Sequence, residues 1–274
     1  MNVSQRVTRH PGPGVVAPVL LGALLLTTIL SACSAPRVVS DSGKSKTLEY
    51  GFSGFTKVRL EDAFAATIIR GDTTAVSVTV DDNLVDDLRV THDGDTLRIR
   101  LAEDFFSYRP PTQQVQITLP SLRGLKVSDG SSADVEGLDS EEPLDLSVTD
   151  GGRVDLIGVR ASDVEITVAD GAQLSGELEA REIGGRVSDA AHLSLEGSAT
   201  AIDLDATDMC KLDLNALPVR YADLRISDVA RGTVRASETI SVLASDRSHL
   251  RYFGTARLHP ISVSDGAQVS RVGN

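Results

Sequence analysis

Residues 125–135 read Leu-Lys-Val-Ser-Asp-Gly-Ser-Ser-Ala-Asp-Val, and their pattern returns seven more times along the chain. The marker is an aspartate behind a small residue: Ser128-Asp129, Thr149-Asp150, Ala169-Asp170, Ser188-Asp189, Thr207-Asp208, Ser227-Asp228, Ser245-Asp246 and Ser264-Asp265. Successive aspartates lie 21, 20, 19, 19, 20, 18 and 19 residues apart. So narrow a spread is the signature of one supersecondary unit repeated in an array.

Alignment on the aspartate exposes columns. Two residues before it stand Val127, Val148, Val168, Val187, Ala206, Ile226, Ala244 and Val263, and four before it Leu125, Leu146, Ile166, Gly185, Leu204, Leu224, Val242 and Ile261. Four after it come Ala133, Val154, Leu174, Leu193, Leu212, Gly232, Leu250 and Val269. The position two after it is small throughout (Ser131, Gly152, Ala172, Ala191, Cys210, Ala230, Ser248, Ala267). The position three after it is polar (Ser132, Arg153, Gln173, His192, Lys211, Arg231, His249, Gln268). Side chains alternate across a strand, so even positions face inward and odd positions outward on both sides of a corner at the aspartate.

Each unit therefore reads as two short strands, a tight corner, and a return loop often opened by glycine (Gly137, Gly158, Gly197, Gly254, Gly273). One unit buries too few apolar groups to offset the entropy of ordering its backbone, so units must stack and share a core. The fold class is all-β, a parallel β-helix (β-solenoid) of about eight to ten coils with 18–21 residues per coil. A propeller blade needs roughly 40–45 residues, and leucine-rich repeats show Asn and Leu at other offsets. Residues 50–124 carry the same alternation in Val58-Arg59-Leu60, Val76-Ser77-Val78 and Leu97-Arg98-Ile99. Leu60 to Ile68 aligns with Val127 to Val135, so this section is expected to be a capping part of the same solenoid with an insertion, ahead of coils at 125–274.

Working outward, Arg6 and Arg9 precede an apolar stretch from Val15 to Leu30 that ends Leu30-Ser31-Ala32-Cys33. A basic start, a short apolar run and small residues before a cut describe a signal peptide over 1–32. The Leu-Ser-Ala-Cys end resembles the lipobox of bacterial lipoproteins. That resemblance implies a lipid on Cys33 and a membrane anchor outside the cytoplasm; the small, polar, Ser-rich residues that follow make 33–49 the lipidated cysteine and a flexible tether. Without residues 1–32 the chain carries 25 basic and 39 acidic residues. Such a balance repels phosphate and argues against nucleic acid as a partner. Only Cys210 then remains as a thiol, and its place in the small inward column makes it a packing residue.

Phe55-Thr56-Lys57-Val58, the turn Ile68-Ile69-Arg70-Gly71-Asp72, Asp82-Asn83-Leu84 and the hairpin Asp93-Gly94-Asp95-Thr96-Leu97-Arg98-Ile99 resemble the opening of the putative auto-transporter adhesin, head GIN domain family. The coils that follow are similar to that family's repeats, so the likeness spans about residues 50–274. It implies a β-helical envelope protein and supplies no catalytic residue. The chain departs from the family at its corners, where Ser-Asp-Gly stands in place of the usual Gly-Ser-Gly.

Three constellations are candidate sites. The corner column Asp129, Asp150, Asp170, Asp189, Asp208, Asp228, Asp246 and Asp265 offers one carboxylate per coil, whereas calcium takes about six to eight oxygens. A calcium-binding solenoid is the alternative, and a structural corner, with the carboxylates inward and bonded to backbone N–H groups, is the preferred reading. Asp81, Asp82, Asn83, Asp86 and Asp87 lack the glycine and terminal glutamate of a calcium loop and read as a solvated turn and helix start. Arg153, His192, Lys211, Arg231 and His249 would form a row on stacked coils, partly neutralised by Asp134, Asp155 and Asp213 two positions further along; it reads as a solvated, charge-mixed face, with a site for an anionic envelope glycan or protein partner as the functional alternative. A glycan-active enzyme on a parallel β-helix needs an acid/base pair, usually on long interrupting loops, for which the coil spacing leaves no room. No catalytic residue, metal site or cofactor is assigned. The expected function is a non-enzymatic structural or adhesion module, with a homo-oligomer formed through an open, uncapped C-terminal coil.

Overall fold

In the computed structural model the described residues are 37–102, 105–106 and 110–273. The expected signal peptide, Cys33 and the start of the expected tether lie outside them. The protein is all-β, a parallel β-solenoid of about eight turns.

Two long ladders build it. The first stacks Lys57–Leu60, Gly124–Val127, Leu144–Val148 and Asp163–Val168, then the second halves of Gln173–Val187, His192–Ala206, Lys211–Ile226 and Arg231–Ala244, and ends on Arg257–Val263. The second stacks Ala65–Arg70, Ser132–Glu136, Arg153–Arg160, the first halves of the four long strands, His249–Phe253 and Gln268–Arg271. Leu60 pairs with Val127 and Ile68 with Val135, the register that the sequence alignment requires. Short of the last coil, the apolar members of the columns two and four before the aspartate, and four after it, form one continuous core.

The returns differ from the loops expected. In the middle coils the chain stays extended and adds a third, shorter ladder, in which Val159 pairs with Leu178, Leu178 with Gly197, and Val219 with Ala236. The return segments carry an inward residue of their own (Leu178, Leu217, Ala236), so pairing buries it.

The corners decide how one ladder hands over to the next. Asp62 and the eight repeat aspartates all sit at φ between 51° and 62°, and the residue after each is also at positive φ. Ser131 N–H donates to Ser128 O at 3.1 Å and Cys210 N–H to Thr207 O at 3.2 Å. Two left-handed central residues closed by that bond make a type I′ turn, for which Asp-Gly is a favoured pair. The second turn residue donates onward to the aspartate carbonyl of the next coil: Gly130 to Asp150 at 2.9 Å, Ala190 to Asp208 at 2.8 Å, Arg247 to Asp265 at 3.0 Å.

All eight repeat aspartates are exposed, which corrects their inward placement. Alternation holds only while the backbone is extended; two left-handed residues reset the phase and turn both outward, leaving the flanking small residues inside. Four of the carboxylates accept from the preceding hydroxyl rather than from backbone N–H: Ser128, Ser188, Ser227 and Ser245 each donate to the next aspartate at 2.6 Å. Inside the corner, space is minimal. A Cβ on Gly152 would stand 2.8 Å from Val127 O, which accounts for the small column.

The N-terminal end is built up. The hairpin Leu88–Asp93/Thr96–Leu101 lays its second strand parallel to Lys57–Leu60. Gln113–Leu119 runs parallel to Ala65–Arg70 and antiparallel to Ala75–Asp81, which in turn pairs with Ser45–Tyr50. The last pairing shortens the tether: residues 45–49 alternate, half-bury Leu48, and join the sheet. Among the described residues, Asp82–Leu84 alone forms a short 3-10 turn. Asp81 is not solvated as expected; it is 1% exposed and accepts from Ser42 N–H and Thr112 N–H at 3.1 Å each. Burial alone would raise its pKa, but these backbone bonds outweigh it and hold the carboxyl low.

The C-terminal end is left largely bare. Leu258, Ile261 and Val263 continue the inward columns of Ile240, Val242 and Ala244, yet remain 46%, 37% and 45% exposed. The expectation of no cap at all needs one amendment. Arg271 falls in the inward column beside Tyr252 and donates to Gly254 O at 2.7 Å.

Candidate functional site

The second ladder decides what the outward polar column becomes. Its register sets Ser132, Arg153, Gln173, His192, Lys211, Arg231, His249 and Gln268 as successive neighbours in one file. Files of this kind run along the solenoid axis with about 4.8 Å between coils. Thus Arg153, His192, Lys211, Arg231 and His249 are brought together on one face, with Gln173 between the first two.

Charge on that face is polarised. Its N-terminal half exposes or half-exposes Asp134, Glu136, Asp155 and Glu177 around Arg153. Asp155 accepts from Ser175 Oγ at 3.1 Å. Toward the C-terminal end the cations Lys211, Arg231, Arg235 and Arg251 gather around a single carboxylate, Asp213, which accepts from Thr233 Oγ1 at 2.9 Å. Between the halves stands His192, half-buried, with its Nε2 enclosed and without a hydrogen-bond partner. Burial and the Lys211 ammonium hold its pKa below the ordinary imidazole value, against the opposing pull of Asp213.

Two features here escaped the sequence reading. Arg235 and Arg251 approach the Phe253 ring at 5.6 and 5.8 Å, and Arg235 is steadied by Asn215, through its carbonyl and its Oδ1, at 3.1 Å each. These residues lie five and seven positions after the corner aspartates. Past position four the sequence reading followed only the carboxylates Asp134, Asp155 and Asp213, so the arginine and aromatic signal at five and seven was present but unread.

The opposite face offers a shallow depression of about 420 Å³ beside Gly184 and Gly185, lined by Glu165, Glu182, Asp203, Asp205, Arg186 and Arg225. Arg225 Nη1 pairs with Asp203 at 3.0 Å and Asp205 at 3.3 Å. These two carboxylates are thus occupied as counter-charges rather than poised to move a proton. Among the described residues there is no group of three or more His, Cys, Asp or Glu placed to hold a metal ion. Burial pushes the Cys210 thiol up to about 11, so it is a packed thiol rather than a nucleophile.

With this geometry in place, comparison with known proteins is informative. The family described as putative auto-transporter adhesin, head GIN domain, matches residues 54–256. The chain belongs to that family. A search of curated proteins finds no match. Among solved structures, the fold is shared with a putative lipid binding protein from Parabacteroides distasonis, at 15% identity and a TM-score of 0.79, covering 86% of this chain and 100% of the other. A putative adhesin from Parabacteroides merdae, at 15% identity and a TM-score of 0.76, covers 86% and 99%. A putative adhesin from Parabacteroides distasonis, at 18% identity and a TM-score of 0.75, covers 86% and 100%. At such identities these neighbours establish the solenoid of the head GIN domain and nothing about its ligand. Within the family's frame, the aspartate corners of this member put a charged residue where only a left-handed backbone is required.

Proposed function

We propose that the chain is a non-enzymatic interaction module displayed on the cell envelope. In this reading a lipid on Cys33 holds it to a membrane, and the file Arg153, His192, Lys211, Arg231 and His249 meets an envelope component. Membership of a family described as adhesins, with neighbours of the same description, supports interaction over catalysis and an extracellular or envelope location. The observation that carries the reading is the ladder register, which sets His192, Lys211, Arg231 and His249 on four successive coils. An extended row on a rigid scaffold suits a repetitive ligand better than a small substrate.

The test has two arms. Cys33→Ser is expected to release the protein from membranes or to leave an unprocessed precursor; unchanged processing and membrane association would remove the lipid anchor. Purified protein on beads is expected to retain envelope material that competes with bound protein and is lost when the file is neutralised. Retention unaffected by that neutralisation would move the interaction off this face.

A further inference from the structure

We propose that the outer face of the last coils is a seat for an acidic polysaccharide, centred on Arg231, Arg235, Arg251 and Phe253; the proposal rests on the interaction-module reading above. Pairing of the arginines is the first observation. Arg123, Arg160, Arg181, Arg186, Arg220 and Arg225 each have a carboxylate within 4.0 Å. Beyond Arg225, no arginine among the described residues has an ion-pair partner, although the chain holds 39 acidic residues against 27 basic ones. Arg153 at the other end of the face also lacks an ion pair, but it stands among carboxylates, whereas at this end Asp213 alone is set among Lys211, Arg231, Arg235 and Arg251.

Placement is the second observation. Arg231 and His249 are ladder neighbours, Arg251 stands opposite Thr233, and Arg235 stands opposite Phe253. Three files of the face therefore converge within two coils, a few ångströms apart along the axis and about 7 Å apart across it. Asn215 occupies the Nε and Nη2 side of the Arg235 guanidinium, leaving Nη1 for an incoming acceptor. Phe253, half-buried between two arginines, gives an apolar platform whose flanks are cationic. Arg235 also rims a depression of about 400 Å³ on the third ladder, floored by Pro218, Val219 and Ala236.

An apolar platform beside guanidiniums suits a sugar ring whose substituent is a carboxylate or sulfate: the ring's C–H face packs, and the anion takes paired N–H donors. Lys211 extends the positive file along the axis and His249 adds an imidazole that can hydrogen-bond, so successive residues of a polymer meet further polar partners. The corner carboxylates Asp228 and Asp246 lie three residues before Arg231 and His249, which confines an anionic chain to the side of the face away from that edge.

The experiment immobilises the full chain and offers polygalacturonate (carboxylate), heparin (sulfate), polyphosphate, and uncharged dextran. Polygalacturonate or heparin is expected to bind, more weakly as salt rises, with dextran inert. Arg231→Gln, Arg235→Gln and Arg251→Gln are each expected to weaken binding about tenfold, and Phe253→Ala to weaken it without changing the salt dependence. Arg181→Gln, on an ion-paired arginine elsewhere, is expected to leave binding unchanged. Binding to none of the probes, binding to polyphosphate alone, or equal loss in the Arg181 variant overturns the proposal. If the triple glutamine variant still retains envelope material, the seat is refuted while the module reading stands.

Discussion

Val229 holds the least comfortable backbone of the corners. It sits at φ 65° in a turn position that Gly130, Gly151, Gly171 and Gly266 fill elsewhere, and a β-branched residue there is a steric outlier. The left-handed conformation costs a residue with a Cβ roughly 1–2 kcal/mol. Val229→Gly is therefore expected to stabilise the protein by about 1 kcal/mol in urea melts, less the entropy glycine returns to the unfolded chain, and Gly130→Val to destabilise it by a similar amount. The aspartate beside each such position acts mainly through its backbone. Asp189→Asn keeps a residue suited to left-handed φ and an acceptor for Ser188 Oγ, and is expected to be neutral or mildly stabilising. Asp189→Ala loses both and is expected to cost about 1–2 kcal/mol. Exposure is what makes the charged column tolerable: in water, unit charges about 4.8 Å apart repel by only roughly 1 kcal/mol. The period and the corner were legible in the sequence because the Asp recurs at fixed intervals. The outward turn was not, because parity counting assumes an unbroken strand, and the Asp-Gly pairs that announce a type I′ turn occur in only four of the eight repeat units.

At the scale of elements, the joint between cap and first coil turns on Glu61. Its side chain is buried at the corner of the first coil and receives Arg59 Nε on Oε1 and Arg98 Nη2 at 2.6 Å on Oε2. Arg59 and Arg98 are themselves direct ladder neighbours, so without the carboxylate two like charges would stand side by side. Burial alone would raise the pKa of Glu61, but the Arg98 hydrogen bond and the two guanidinium charges outweigh it and hold it below 4.5. A carboxylate with a lowered folded pKa contributes stability in full above its unfolded value, and that stability is lost as pH falls through the folded value. Glu61→Gln is thus expected to cost about 1–3 kcal/mol at neutral pH and much less at a pH acid enough to protonate the carboxylate in the folded state. A gap of equal size at both pH values would rule out a charge clamp. The candidate face shows the same split in legibility. Its central file could be read from one column of the repeat. The Arg235–Phe253–Arg251 grouping could not, since it depends on the outward parity persisting seven residues past the corner, where bulges shift the register between Leu214 and Pro218.

For the whole molecule, every coil touches only its neighbours, so register rather than any single contact sustains the fold. Deleting a whole unit, Asp170 to Ser188, is expected to leave a shorter, cooperative solenoid by circular dichroism and thermal melt. Deleting half a unit misaligns every ladder on one side of the cut and is expected to unfold it. Equal damage from both would count against nearest-neighbour stacking. The ends differ in kind. The last strand of the first ladder, Arg257–Val263, carries a bulge between its pairings at Leu258 and Ile261, and there Pro260 has no N–H to offer. Proline and bulges blunt sheet edges against further pairing. Pro260→Thr combined with Arg271→Val is accordingly expected to shift the protein toward end-to-end oligomers in sedimentation, whereas an unchanged sedimentation profile would show that neither residue guards the end. The ladders have one more consequence, a mechanical one. Hydrogen bonds between coils lie along the solenoid axis, so a pull on the two chain ends loads the outermost coil's bonds in sequence and peels it, rather than shearing many at once. The N-terminal end is fastened by antiparallel strands and the Glu61 clamp, while the C-terminal coil is held on one side only. Stretched, the domain should yield from its C-terminal end in repeated small steps, each paying out about 65 Å of chain, and so behave as a force limiter rather than a rigid rod.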